Sequence, residues 1–288
     1  MGRARYTAFC MSHPAVPAVY LTITLGLTMF SLHPVAVAIS LAGAFAYACC
    51  ARGPATAFAQ LRWQLPVILL VALANPLFVA SGSTEVLHMG PRAIYLEALA
   101  YGACMGGLLI ASTLWFGAAA DILGFDKVMT LAGNIAPTIS LMTSMCMRLI
   151  PRFVRQGRVI AQVQAATRVP GRSAVNRVRE RLRASSVLMG WAMEDSLQTA
   201  DAMRARGWAT GARRTTYTRY RFTATDAIAL ASLLICGTAC CLLAYIATSQ
   251  FVFYPTMSCL VPWWGYVPLA AWMAVPTVLH ILEERRYT

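Results

Sequence analysis

Two long stretches of this 288-residue chain, residues 6–51 and 227–282, contain no Asp, Glu, Lys or Arg. A helix needs about 20 mostly apolar residues to cross the hydrocarbon core of a bilayer, so each stretch has room for more than one crossing. The composition agrees, because 58% of the residues are hydrophobic and 12% are charged, whereas a soluble domain averages about 25% charged residues. The sequence predicts a polytopic membrane protein built from helices.

The apolar segments indicate where the spans lie. The sequence predicts four spans before residue 120 and two after residue 222, near 15–32, 34–51, 64–81, 93–117, 225–247 and 262–281. The basic start followed by an apolar run resembles a secretory signal. Further spans follow, however, and no small-residue cleavage site closes the run. We therefore expect a retained first span.

The positive charge is concentrated in one quarter of the chain. Residues 148–221 contain 16 arginines and 4 acids, which leaves +12 of the total net charge of +13. Such a segment can bind nucleic acid or face anionic lipid on the cytoplasmic side of a membrane. Spans flank the segment and no nucleic-acid motif accompanies it. We expect a cytoplasmic region next to a lipid bilayer and no nucleic-acid partner.

The apolar run 128–147 decides the topology. If it spans, the basic segment lies opposite the N-terminus and several other arginines fall outside the cell. If it lies in the interface or inside the protein, both termini, the loop 52–63 and the basic segment are all cytoplasmic, as the positive-inside rule favours. We adopt the second layout. It divides the chain into a four-span N-terminal bundle (1–119), a cytoplasmic or interfacial helical region (120–222) and a two-span C-terminal hairpin (223–288).

Glycine and proline mark an external loop and a packing face in the N-terminal bundle. Residues 81–92, "SGSTEVLHMGPR", have the punctuation of a loop. Gly102 and Gly106 are four residues apart in an apolar segment, a spacing that lets two membrane helices approach closely.

Two long helices are predicted in the basic region. The first, 151–168, is amphipathic, and its predicted packing side carries Phe153, Val154, Ile160, Val163 and Gln164. Pro170 and Gly171 end it. The second runs from about 174 to 206, with an apolar surface formed by Leu188, Trp191, Ala192 and Met203. Gly207 suits the position that closes a helix, and arginines suit the negative end before it.

Motifs for catalysis and nucleotide binding are absent from the sequence. It contains no G-x-x-x-x-G-K-[ST] phosphate loop, no HExxH and no G-x-S-x-G. The four histidines are scattered at loop or span ends, and most of the nine cysteines lie in apolar runs without metal-ligand spacing. We expect no catalytic residue, no metal and no cofactor, and therefore a protein that is not an enzyme.

The string "QTADAMRARGWATGARRT" at 198–215 resembles the transmembrane T component of energy-coupling factor (ECF) transporters. Further similarity follows in order: "SHPAV", "SLHPV", "NPLF" at 75–78, "LEALAYG" at 96–102, "LWF", "DKVM", "RLIPRF" and "YRF" with a following Asp. Together these strings cover about residues 12–226.

The resemblance implies a non-catalytic scaffold in an ABC-type importer of vitamins or metal ions. Two cytoplasmic ATPases hydrolyse ATP, and a small membrane S component binds the substrate. The T component joins them through two long coupling helices, each ending in an x-Arg-x motif that contacts one ATPase. The second motif corresponds to Ala205, Arg206 and Gly207. The first departs from the usual Ala-Arg-Gly, and its nearest candidate is Thr167 with Arg168. Trp191 and Met203 would pack the coupling helices against the membrane bundle or the S component.

Two further classes of function remain to be compared with this one. A stand-alone secondary transporter usually places ionisable residues within its spans, and here Glu97 alone comes close, near the outer end of the fourth span. An integral membrane enzyme has no assembled set of catalytic residues in this sequence. The expected location is the cell membrane of a prokaryote, as a multi-pass protein with both termini in the cytoplasm.

Overall fold

The structure is a computed structural model that describes part of the chain. The described residues are Phe9, 12–78, 84–89, 92–166, 174–208, 222–254, 257–258 and 263–287. The chain divides into two compact units, residues 1–128 with 220–288 and residues 129–219. The first unit thus combines the N-terminal and C-terminal membrane segments of the sequence.

Helices account for almost all of the described structure. In chain order the elements are α1 (Ala15–Phe30), α2 (Pro34–Arg52), α3 (Pro54–Phe78), β1 (Glu85–Met89), β2 (Arg92–Tyr95), α4 (Leu96–Ile122), α5 (Phe125–Ile135), α6 (Pro137–Ala166), α7 (Ala174–Ala205), α8 (Ala224–Gln250) and α9 (Tyr266–Tyr287). Among the described residues, five helices are long and apolar enough to cross a membrane: α2, α3, α4, α8 and α9. The helical class and the multi-pass membrane character are therefore confirmed.

The first helix is shorter than the predicted span. Helix α1 has 16 residues and falls below the length of the five candidate spans. Helix α1 ends at Phe30, and Pro34 disfavours the helical region for the residue before it, so α1 does not continue into α2. His33 accordingly has an extended backbone and serves as the N-cap of α2.

The third helix begins ten residues earlier than predicted. Gly53 has a φ of 91°, a conformation that glycine adopts readily, and α3 starts at the next residue, Pro54. The predicted loop 52–63 is therefore wrong, since only its first two residues precede the helix. Pro66 lies inside α3 and does not end it.

A short β-hairpin lies where the sequence predicts an external loop. Strands β1 and β2 are antiparallel, with Met89 opposite Arg92 and His88 opposite Ala93. The second strand leads directly into α4, which begins at Leu96 rather than near residue 93. A segment this short carries too little alternation for its strands to be recognised from the sequence.

The apolar run 128–147 is divided between two helices. Helix α5 ends at Ile135, and α6 begins at Pro137. Neither helix is among the candidate spans of the described residues, and the choice between the two layouts stays a prediction. The predicted start of the next helix at 151 is wrong, because α6 continues through Pro151 to Ala166. An interior proline removes one backbone donor, and here the helix continues without it.

The core of the first unit lies between α1, α2, α4 and α9. Tyr20, Tyr47 and Trp115 are among its fully buried large side chains. The glycine packing face is confirmed: a Cβ on Gly102 would stand 2.9 Å from the Cα of Ala72, so α3 and α4 approach to backbone contact there.

Candidate functional site

Helices α6 and α7 form an antiparallel pair within the second unit. Near the connecting segment, the side chain of Gln164 donates to the carbonyl of Glu180 over 3.3 Å. Further along, the rings of Phe153 and Trp191 meet edge to face, with their centroids 5.8 Å apart. These contacts fix the register of the two helices.

The packing side of α7 is the one that the sequence predicts. The four residues predicted for this side are all half-buried: Leu188, Trp191, Ala192 and Met203. Further half-buried residues continue the same side at spacings of three or four residues, namely Glu180, Ala184, Asp195 and Thr199. On α6, Phe153, Ile160 and Gln164 are half-buried as expected. Val154 and Val163 are exposed, so their assignment to the packing side is wrong. A helix of 3.6 residues per turn places both valines just beyond the contact stripe.

The end of α7 is a Schellman motif. Gly207 has a φ of 77° and donates its N–H to the carbonyl of Arg204 over 3.0 Å, while Trp208 donates to Met203 over 3.0 Å. These are the two bonds that close a helix when a glycine occupies the left-handed position. The predicted position of Gly207 as the residue that closes α7 is confirmed.

Arg206 therefore stands at a defined helix tip. Ala205, Arg206 and Gly207 are all exposed, and within the part of the chain that the structure describes no carboxylate pairs with Arg206. The guanidinium at this tip is available to an acidic group of another molecule. Thr167 and Arg168, the candidates for the first motif, lie outside the described residues, immediately after the end of α6 at Ala166.

A cleft of about 550 Å³ lies between α6 and α7 at the end that carries Arg206. Its cationic side chains are Arg148, Arg152 and Arg206, and Asp195 is the one acid in its lining. Asp195 pairs with Arg152 over 3.4 Å. The sequence does not predict this cleft, because most of the α6 residues that line it, from Met145 to Leu149, precede the predicted helix start at 151.

A chain of buried hydrogen bonds crosses the first unit. Trp272 on α9 donates to the hydroxyl of Thr24 on α1 over 2.9 Å, and the Tyr20 hydroxyl donates to the carbonyl of Trp272 over 2.7 Å. One turn after Thr24, the hydroxyls of Thr28 and Ser40 are 2.8 Å apart. Ser40 on α2 also accepts the indole N–H of Trp115 on α4 over 3.0 Å. These hydrogen bonds link α1, α2, α4 and α9, and α9 is far from the other three helices in sequence.

Arg52 joins three helices at one end of the same unit. Its Nε donates to a carboxylate oxygen of Asp121 over 2.7 Å, and its two terminal nitrogens donate to Gln60 over 3.1 Å and to the carbonyl of Gly117 over 2.9 Å. The planar guanidinium suits three partners at fixed angles. The predicted loop position of this residue is wrong, because Arg52 ends α2 and binds α3 and α4. Its cytoplasmic side stays a prediction.

Glu97 is buried at the start of α4. Its side chain is 3% exposed, and it accepts hydrogen bonds from the hydroxyl of Thr84 over 2.7 Å and from the backbone N–H of Thr84 over 3.2 Å. The carboxylate also lies in the first turn of α4, where the helix dipole favours negative charge. These contacts give Glu97 a structural role at the entry to α4.

Four buried polar atoms on α2 and α9 have no hydrogen-bond partner within the described part of the protein. They are the hydroxyls of Tyr47 and Thr277, Nδ1 of His280 and one carboxylate oxygen of Glu283. The three α9 positions follow a helical spacing of three, so they form one stripe. No sequence pattern indicates this stripe, because it depends on which side of α9 faces α2.

Two kinds of comparison with known proteins identify no relative. No model of a protein family matches the chain, and no curated protein matches it. Among the described residues, no group of three or more His, Cys, Asp and Glu side chains is arranged to hold a metal ion.

Proposed function

We propose that this protein is the membrane scaffold and energy-coupling subunit of an ABC-type ECF importer. In this proposal two cytoplasmic ATPases bind the α6–α7 pair, and a small membrane S component carries the substrate, a vitamin or a metal ion. The subunit itself performs no catalysis. It resides in the prokaryotic cell membrane with both termini in the cytoplasm.

The observation that carries the proposal is the tip of α7. A 32-residue helix, Ala174–Ala205, ends in an exposed arginine that a Schellman motif holds in a fixed position. A long rigid helix can transmit a displacement of its tip along its length, because its backbone hydrogen bonds are all internal. A guanidinium at that tip can form a two-pronged bond with a carboxylate of a partner and stays charged when it is covered.

The sequence supports a division of labour with a separate motor. It contains no phosphate-binding loop, and its one lysine, Lys127, follows an aspartate rather than the glycine of such a loop. ATP binding would therefore belong to the partner subunits. When the ATPases close on ATP, the tips at Arg206 and at Arg168 would move together and shift α6 and α7. The half-buried side of α7 with Trp191 and Met203 would carry that shift.

The decisive experiment is charge reversal at the tip. Arg206→Glu should abolish co-purification of the ATPases and substrate uptake, since it opposes a carboxylate with a carboxylate. Arg183→Glu is the matched control, because Arg183 is an exposed arginine of the same helix far from the tip. Normal assembly and uptake with Arg206→Glu would refute the proposal. Mass spectrometry of the wild-type complex should find two ATPases, or two copies of one, and a small hydrophobic protein.

A stand-alone secondary transporter is the alternative, and the burial of Glu97 is the observation in its favour. A buried carboxylate within a span is a typical site for a coupling ion or proton. Reconstitution of the chain alone in vesicles separates the two functions. Uptake driven by an ion gradient without any ATPase, and lost in Glu97→Gln, would establish the alternative.

A further inference from the structure

The α6–α7 cleft has the chemistry of a site for an anionic amphiphile. Its volume of about 550 Å³ lies in the range of pockets for small molecules, about 300–1,000 Å³. Apolar side chains from both helices form much of its lining, among them Met145, Leu149 and Met203. Methionine side chains are flexible and polarisable, so they can pack against a flexible hydrocarbon chain.

The charges around the cleft are unbalanced. Asp195 pairs with Arg152, and the structure gives Arg148 and Arg206 no carboxylate partner among the described residues. Two guanidinium groups therefore border an apolar cleft. A phosphate diester carries the complementary charge, and guanidinium binds its oxygens in pairs.

The surroundings of the cleft favour a lipid over a protein helix. Met142, one turn before the lining residue Cys146, is 60% exposed, and Met193, one turn before Ser196, is 66% exposed. Exposed apolar residues alternating with arginines are typical of helices that lie in a membrane interface. A docking helix is about 10–12 Å wide and needs a continuous groove, whereas a cleft of about 550 Å³ has the volume of a small-molecule site.

We infer that this cleft binds an anionic phospholipid, with the phosphate at Arg148 and an acyl chain along Met145, Leu149 and Met203, while Arg206 at the helix tip stays free for a protein partner. The lipid would anchor the α6–α7 pair to the anionic surface of the bilayer. The inference does not rest on the proposed function, because it requires neither an ATPase nor an S component.

Photo-cross-linking of the full chain in vesicles tests the site. The probe is a photoreactive phosphatidylglycerol in vesicles of phosphatidylcholine, and peptide mapping locates the adducts. Adducts should concentrate on residues 145–152 and 192–206. Arg148→Gln should reduce their yield about tenfold, the effect of losing one charge-assisted bond to phosphate. Arg155→Gln is the matched control, since Arg155 is an exposed arginine of the same helix that does not line the cleft.

A second variant tests the apolar part of the site without altering charge. Ser196 is exposed and lines the cleft, so Ser196→Phe should occupy the space of the acyl chain and lower the adduct yield while α6 and α7 stay folded. An excess of inorganic phosphate should leave the yield unchanged, because free phosphate has no acyl chain. Displacement by phosphate would instead indicate a site for a free anion and overturn the lipid assignment.

Two further outcomes would also overturn it. Equal loss of adducts in Arg148→Gln and Arg155→Gln would show general attraction to a charged surface. A photoreactive residue placed at Ser196 in the intact complex tests whether a protein occupies the cleft. Cross-links to a partner polypeptide, with no lipid adduct at the cleft, would assign the cleft to that partner. None of these results depends on uptake, so failure of the lipid site and failure of the coupling role are distinguishable.

Discussion

Trp272 on α9 donates its indole N–H to the hydroxyl of Thr24 on α1 over 2.9 Å, and both side chains are buried. The Thr24 hydroxyl donates in turn to the carbonyl of Tyr20 over 2.8 Å. Hydrogen bonds between membrane helices are worth about 0.6 kcal/mol on average and up to about 1.7 kcal/mol. This bond connects segments 248 residues apart, so it holds the C-terminal helix to the N-terminal one.

Thr24→Val should destabilise the first unit by about 0.6–1.7 kcal/mol, because it leaves the indole of Trp272 without its acceptor. Unfolding in mixed micelles, followed by circular dichroism, measures the difference. Thr22→Val is the matched control: the Thr22 hydroxyl is exposed and bonds only to Ala18 in its own helix. A control that loses as much stability as Thr24→Val would show that the interhelical bond contributes nothing.

Arg52→Lys should weaken the packing of α2 against α3 and α4. An ammonium group cannot reach Asp121, Gln60 and the carbonyl of Gly117 at the angles that the guanidinium uses. We expect a loss of about 1 kcal/mol, the size of one net hydrogen bond. Thermal melting compares it with Arg62→Lys, which changes an exposed arginine on α3. The interpretation fails if both variants melt together with the wild type.

Gly102→Ala should destabilise the α3–α4 contact. The new methyl group would stand 2.9 Å from the Cα of Ala72 and 3.0 Å from its carbonyl oxygen, and backbone atoms cannot move aside cheaply. Overpacking of this kind costs about 1–3 kcal/mol. Gly26→Ala on α1 is the control, since nothing lies within 4 Å of its added Cβ. It should be neutral or slightly stabilising, and equal melting of the two variants would refute the close approach.

Local patterns made some parts of this fold predictable. The Gly102–Gly106 spacing marks a packing face by itself, and Gly207 after a basic turn marks the end of α7 by itself. Helix α7 was predicted over 174–206, one residue longer than the 174–205 observed. Each of these features depends on residues within a few turns of one another.

Contacts between distant segments were not predictable in the same way. Nothing in the sequence pairs Thr24 with Trp272 or Arg52 with Asp121, because such pairs depend on the rotation of each helix about its axis. The same limit explains Glu97, whose burial follows from a hairpin that the sequence did not reveal. Proline alone also does not mark a helix boundary: Pro34 begins α2, whereas Pro66 and Pro151 lie within helices.

Stability should fall as the pH drops below about 6.5, the ordinary pKa of histidine, partly because of His33. This residue is buried between α1 and α2, and burial lowers its pKa. Its Nδ1 accepts the N–H of Val35 over 3.3 Å, so the neutral ring carries its proton on Nε2, which lies 3.1 Å from the hydroxyl of Tyr266. A proton on Nδ1 would break the first bond.

The sign of the effect follows from the two states. At pH values above 6.5 the ring is neutral in both the folded and the unfolded chain, and His33 contributes no pH dependence. Below that value His33 of the unfolded chain becomes protonated, whereas the folded protein keeps the ring neutral because its pKa there is lower. The free energy of unfolding therefore decreases as the pH falls from about 6.5 to the pKa of His33 in the folded state. Melting temperatures between about pH 8 and pH 5 should therefore show a decline.

In His33→Asn the decline should be shallower, because the amide can still cap α2 but does not titrate. His13→Asn, which also replaces a ring that accepts a backbone N–H two residues further on, is the control for loss of such an imidazole acceptor. An unchanged slope in His33→Asn would mean that other groups cause the whole decline.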